Sequence, residues 1–134
     1  MNEMIENTGM DRQILKTFIL ETYPASVDRP WLQYPNYEVF RHSSNQKWFA
    51  VIMDLPKSKL GLQGEERVDA VNLKCGHILA GSLLMENGFF PAYHMRKDSW
   101  ITVALDGSVA DDKIKMLLDV SYQATAPKVR KKKG

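Results

Sequence analysis

His94, Arg96, Lys97 and Trp100 crowd into the stretch from Phe90 to Asp106, which holds the densest mixture of imidazole, cationic and aromatic side chains in the chain. On an antiparallel hairpin, an aromatic ring beside cations suits a nucleic-acid backbone and a stacked base. The same set suits a small anionic ligand, and Trp100 would equally serve to pack the second face of a sheet. Strand alternation sets Phe90, Ala92 and His94 on one side and Pro91, Tyr93 and Met95 on the other. In the partner segment Ile101, Val103 and Leu105 suit the core, which leaves Trp100, Thr102 and Ala104 opposite. The expected exposed face presents Trp100 next to His94 or Tyr93, with Arg96 and Lys97 at the tip. Arg41, Lys47 and Lys74, which fall in three other expected strands, complete a candidate set of phosphate- or anion-holding cations.

Other chemistries find less support. His42, His77 and His94 lie far apart with no paired spacing, and Cys75 with His77 makes only half of a zinc site. Cys75 two residues from His77 has the types for a thiol nucleophile and base, but a lone cysteine at a strand end also serves as a small buried hydrophobe. Neither GxGxxG nor a Walker A sequence occurs, so no glycine-rich loop cradles nucleotide phosphates. Asp111 and Asp112 are adjacent carboxylates, yet anions at the start of a helix are explained by its dipole. The expectation is a protein with no catalytic residues, no metal and no cofactor.

Composition agrees with one soluble domain. A chain of 134 residues buries about two thirds of its unfolded surface, and 44% apolar with 25% charged residues is ordinary. No apolar run approaches the roughly 18 residues of a membrane span, and the acidic, polar start MNEMIENTGMDR lacks the layout of a signal peptide. A single cysteine fits a reducing, cytoplasmic setting. The net charge of +2 is unevenly distributed. The run 128–134, KVRKKKG, carries five cations, leaving 13 Lys and Arg against 16 Asp and Glu before it. Residues 1–124 are thus expected to form one domain, followed by a basic, flexible tail over 125–134. Such tails touch nucleic acid or acidic partners, or merely solubilise.

The elements that must position these residues follow from periodicity. Ile14, Leu15, Phe18, Ile19 and Thr22 recur at helical spacing, predicting a helix over about 9–22 opened by a capping box on Thr8 with Asp11 and stopped at Tyr23-Pro24. The stretch 24–36 reads as a Pro- and Asn-bearing connection whose Trp31 lids the core or stacks on a ligand. Glu38 to His42, Lys47 to Met53 and Arg67 to Lys74 read as strands, the second apolar on both faces and therefore central. A helix over 77–87 ends at Asn87-Gly88. Strands over 89–95 and 99–105 follow, then a helix over 109–122 with a capping box on Ser108 and Asp111. The order α-β-β-β-α-β-β-α predicts a two-layer α+β sandwich with an antiparallel sheet of about five strands.

Pro30-Trp31, the run 47–50 (KWFA), 59–62 (KLGL), 71–75 (VNLKC), 91–95 (PAYHM), 100–103 (WITV), 105–107 (LDG) and Ser121-Tyr122 occur in an order that resembles the MmcQ/YjbR family over residues 10 to 124. Arg96 stands where asparagine is common in that family. The resemblance implies a CyaY-like (frataxin-like) or secretion-chaperone-like α+β fold. It also implies DNA binding through two β-hairpin wings, here the turns around 43–46 and 96–98. Frataxin-type iron binding would need an acidic ridge, and the first helix offers only Asp11 and Glu21. Three functions follow as expectations. The first is a non-enzymatic cytoplasmic protein that contacts DNA through Arg41, Lys47, Lys74, His94, Arg96, Lys97 and Trp100. The second is an interaction module with a protein partner or a second copy, using an exposed apolar patch around Trp48, Trp100 or Met53. The third is a small-anion site on Lys47, Lys74, His94 and Lys97.

Overall fold

Tyr23-Pro24 and Arg29-Pro30 bracket a four-residue strand that turn-rich composition conceals, and with it the sheet has six strands rather than five. The computed structural model describes residues 9–127. Its elements are α1 (Arg12–Thr22), β1 (Ala25–Asp28), β2 (Glu38–His42), β3 (Trp48–Pro56), a 3-10 turn (Lys57–Leu60), β4 (Arg67–Lys74), α2 (His77–Leu83), β5 (Phe89–Pro91), β6 (Trp100–Ala104) and α3 (Asp111–Thr125). The strands lie in the order β1-β2-β3-β4-β6-β5, and every neighbouring pair is antiparallel. The α+β sandwich is as expected, and β3 is central between β2 and β4. β1 pairs with β2 from Ala25 against His42 to Asp28 against Val39. Short length and flanking prolines are what an edge strand tolerates.

Alternation divides the apolar residues between two faces. Phe40, Ala50, Ile52, Val71, Leu73, Ile101 and Val103 form one core with Leu15 and Ile19 of α1 and Ile114, Leu117 and Leu118 of α3. Burying each large apolar side chain contributes about 1.5–3 kcal/mol. Val39, Val51, Met53, Leu55, Val68 and Ala70 form a second cluster on the other face, where Trp31, Trp48, Phe90 and Tyr93 pack over it. The helices cover the first face, and loops cover the second.

Helix ends differ from the expected capping boxes. Asp11 is itself the N-cap of α1, its carboxylate accepting from the Ile14 amide at 2.8 Å, and Thr8 lies outside the described residues. α3 starts after Ala110 without a side-chain cap, because the Ser108 hydroxyl donates instead to Asp106. Asp111 accepts from the Met10 amide at 2.8 Å, so one carboxylate joins the entry of α1 to the first turn of α3. α2 ends at Leu83 rather than 87. Gly88 takes φ +91° to turn the chain into β5, and a Cβ there would meet Val109 at 2.5 Å.

Two small side chains bolt α3 to the sheet. The Ser121 hydroxyl donates to the Phe49 carbonyl at 2.6 Å and accepts from the Lys74 amide at 2.9 Å. Buried His42 meets the Thr125 hydroxyl through Nε2 at 2.8 Å and stacks on Tyr122 with centroids 4.0 Å apart. Thr125 donates its own proton to the Ser121 carbonyl at 2.8 Å, so Nε2 must be the donor to Thr125. Nδ1 is buried and has no hydrogen-bond partner among the described residues. Burial lowers the His42 pKa below the ordinary histidine value. α3 runs through buried Thr125, one residue past the expected domain limit; the run 128–134 lies outside the described residues.

Candidate aromatic pocket and its cationic rim

β3 places Trp48, Val51 and Met53 toward the second face, and the connection between β1 and β2 folds across them. A cavity of about 380 Å³ results, lined by Trp31, Gln33, Tyr34, Tyr37, Trp48, Val51, Met53, Asn72, Tyr93, His94 and Met95. This lies within the range of about 300–1,000 Å³ common for small-molecule sites. Trp31 stands at right angles to Trp48 and to Tyr37, with centroids 5.6 and 6.0 Å away, while Tyr34 stacks on Tyr37 at 4.8 Å. Burial, then the neighbouring Tyr93 and Tyr34, push the Tyr37 hydroxyl up to about 12. Among the described residues no carboxylate lines the cavity.

The opposite wall is held by three hydrogen bonds, one of them buried and two partly buried. Asn72 Nδ2 donates to the Tyr93 carbonyl at 2.8 Å, the Tyr93 amide donates to Thr102 Oγ1 at 3.0 Å, and Thr102 donates to Asn72 Oδ1. This closed ring satisfies the side chains of Asn72 and Thr102, both fully buried. It fixes Tyr93 after β5 has ended, and His94 follows at φ +63°, a left-handed conformation uncommon outside glycine. Pairing therefore stops at Pro91, and the expected strand through Met95 does not form. Tyr93, His94 and Met95 all line one cavity instead of alternating between faces.

The expected site residues divide. Trp100 is only 7% exposed and does not line the pocket, so it packs as a structural ring and is unavailable for surface stacking. Arg41 lies over the Trp48 ring at 5.4 Å and pairs with Asp28 at 3.3 Å. Lys47 is exposed immediately before β3, and half-buried Lys74 stands opposite Trp100 in the sheet register. Arg96 is exposed but pairs with Asp98 at 3.1 Å, within a loop that replaces the expected two-stranded wing. Lys97 lines a smaller cleft with Lys59 and Tyr93, so Tyr93 separates that cleft from the aromatic pocket. The register brings three of these cations together: Arg41 pairs with Trp48, Ala50 with Leu73 and Lys74 with Trp100. Lys97 stands in the cleft with Lys59 and Arg96 in the loop before Trp100, while Arg41, Lys47 and Lys74 lie toward one end of the sheet. α3 also ends there, with Asn45 donating to the Thr125 carbonyl at 3.0 Å.

Two alternative arrangements lose their geometry. His94 lines the aromatic pocket and Lys97 the adjoining cleft, but Lys47 and Lys74 line neither, so the four do not converge on an anion. Met53 and Trp100 are buried and Trp48 faces the pocket, so the apolar patch expected around them is not exposed. Among the described residues no group of three His, Cys, Asp or Glu could hold a metal ion, and no helix is long and apolar enough to cross a membrane.

A second cavity, about 340 Å³, lies at the other end of the sheet between Arg12, Lys16, Arg29, Asn36, Glu38, Asp54 and Asp69. Buried Glu38 accepts from Lys16 at 2.7 Å, Arg29 at 2.8 Å and Arg12 at 3.3 Å. Burial alone would raise the Glu38 pKa, but the hydrogen bonds and charges of those cations hold it below the usual carboxylate range. Arg12 also donates to the Asn36 carbonyl, and Asn36 donates to Asp54 at 3.3 Å. Both ends of the pocket-covering loop, Arg29 and Asn36, are therefore tied to this cluster.

A helix-backed six-stranded antiparallel sheet with this order defines a two-layer α+β domain seen in solved proteins. The chain belongs to the YjbR family, whose sequence model matches residues 20–124. A Pseudomonas syringae protein seen by crystallography is 44% identical and superposes with a TM-score of 0.85, covering 87% of this chain and 100% of that one. The uncharacterized Bacillus subtilis protein YyaQ is 36% identical over 116 residues, 87% of this chain and 98% of its own. The uncharacterized Escherichia coli protein YjbR is 42% identical over 59 residues, 43% of this chain and 50% of its own. A more distant Deinococcus radiodurans structure, 22% identical with a TM-score of 0.64, shares the fold.

Proposed function

We propose that this is a non-enzymatic DNA-binding protein in which Arg41, Lys47, Lys74, Arg96 and Lys97 hold phosphates. The observation that supports it is the position of Arg41, Lys47 and Lys74 toward one end of the sheet, beside the end of α3 from which the sequence continues into KVRKKKG. Phosphate contacts of this kind give affinity with little sequence information and a strong dependence on salt. The absence of catalysis rests on the lack of a nucleophile–base pair in the sequence, and burial pushes the Cys75 thiol up, away from the reactive thiolate. A mobility-shift titration at low and at physiological salt tests the proposal. Binding should weaken steeply with salt and vary little with sequence. No binding at low salt by the full chain would overturn it. Binding abolished only by deleting residues 128–134 would move the contact from the sheet end to that segment.

A further inference from the structure

We infer that the aromatic pocket takes one unstacked nucleobase of a single strand, with the neighbouring phosphates lying on Arg41 and on Lys59 and Lys97. The inference rests on the nucleic-acid reading and adds a ligand class to it: single-stranded rather than duplex DNA.

Three features of the pocket support this. Its walls are aromatic rings, with Trp31 set at right angles to Trp48 and to Tyr37, and a flat ligand is matched by such ring surfaces. Bases have such faces whatever their identity, which is why aromatic platforms bind single strands with little sequence preference. Charge complementarity comes second. Among the described residues the lining holds no carboxylate, and cations stand beside it. Arg41, paired with Asp28, lies 5.4 Å from the ring of Trp48, which lines the pocket. Beyond Tyr93, Lys59 and Lys97 line the adjoining cleft of about 260 Å³. A neutral ring flanked by anions fits this pattern. Third, the polar groups are divided between structural and available. Asn72 and Thr102 are used in holding Tyr93. Gln33 and His94 line the pocket as exposed side chains, placed to meet the edge of a base. Bases paired within a duplex are stacked and cannot enter such a pocket without being extruded.

The test uses the full-length protein with a 2-aminopurine-labelled single strand and the same strand annealed to its complement, at low salt. The single strand should bind more tightly, and the 2-aminopurine emission should change on binding. Trp48→Ala should weaken single-strand binding by about five- to a hundredfold, the effect of losing one stacked base. Trp48→Phe should restore most of it, and duplex binding should respond to neither. Tyr34→Ala, on the exposed part of the loop, gives a second variant with a small folding risk and should weaken the single strand in the same direction. Equal affinity for single strand and duplex, unaffected by these substitutions, would overturn the pocket assignment while leaving phosphate binding intact. Binding of neither nucleic acid would overturn both.

Discussion

The two cavities are close in size and opposite in construction. At one end of the sheet, Glu38 draws Arg12, Lys16 and Arg29 around it, and Asp69, Asn36 and Asp54 take up further bonds. On the second face, Trp31, Tyr34, Trp48 and His94 enclose a similar volume with ring faces, and the hydrogen bonds of that region go into holding Tyr93. A charge cluster that is fully paired within the chain has little left to offer a ligand, and its role is to join α1, β2 and the covering loop. The aromatic pocket has ring faces and polar edges still unused. The perturbed carboxylates Glu38 and Asp54 therefore mark the scaffold in this protein, and the unspent aromatic surface marks the candidate site.

Breaking the charged side should give the largest effect. Glu38→Gln leaves Lys16 and Arg12 facing a neutral partner and should destabilise the fold by about 3 kcal/mol in urea unfolding at neutral pH. The sign with pH is fixed by the depressed carboxyl. Its stabilisation is present above the ordinary glutamate value of about 4.3 and is lost as pH falls through the lower folded value, so the wild type should weaken in acid more than Glu38→Gln does. A loss below 1 kcal/mol would mean that water satisfies the cations equally well.

On the aromatic side, Asn72→Ala opens the ring that holds Tyr93. Thr102 Oγ1 still accepts from the Tyr93 amide, so the groups left unpaired are the Thr102 hydroxyl proton and the Tyr93 carbonyl. The change should cost about 1–3 kcal/mol, with faster amide exchange concentrated at 93–95. Uniform exchange across the sheet would show that Asn72 supports the whole core rather than the pocket wall. A smaller effect is expected at the cationic end. His42 is buried neutral, so stability should decline once pH falls below about 6.5, where the unfolded chain takes up a proton that the folded one resists. The decline is complete as pH passes the lower folded value, and His42→Phe should flatten that window of the profile. Smallest of all, Lys47→Glu and Lys97→Glu should change stability by no more than about 0.5 kcal/mol. Each should nonetheless reduce the salt slope of DNA binding by about 1.

How far the sequence reveals these regions depends on whether the information is local. The helix periodicities of α1 and α3 and the doubly apolar run at 48–53 are properties of single segments, and they place α1, α3 and the centre of the sheet. β1 was hidden because ASVD between prolines carries turn composition, and only its pairing with β2 makes it a strand. The failure at 92–95 is also instructive. Alternation predicts a continuing strand there, but the Asn72–Thr102 ring captures Tyr93 and His94 turns left-handed, and neither is visible in the segment itself. Trp100 was legible as either a structural or a stacking ring, and burial in the sheet decides for the former. The pocket needs Trp31, Trp48 and Tyr93 from three distant segments, so Trp31, His94 and Tyr93 are visible as single candidates in the sequence while their meeting over the second face of β3 is not.

The three tryptophans supply the most direct test, because they divide between pocket and scaffold. Indole N–H resonances should be followed in a two-dimensional NMR titration of the full chain with a single-stranded oligonucleotide at low salt. Trp31 and Trp48 should shift together and saturate, while Trp100, buried outside the pocket, should stay in place. Shifts confined to backbone amides elsewhere, or movement of Trp100 without Trp31 and Trp48, would contradict the account.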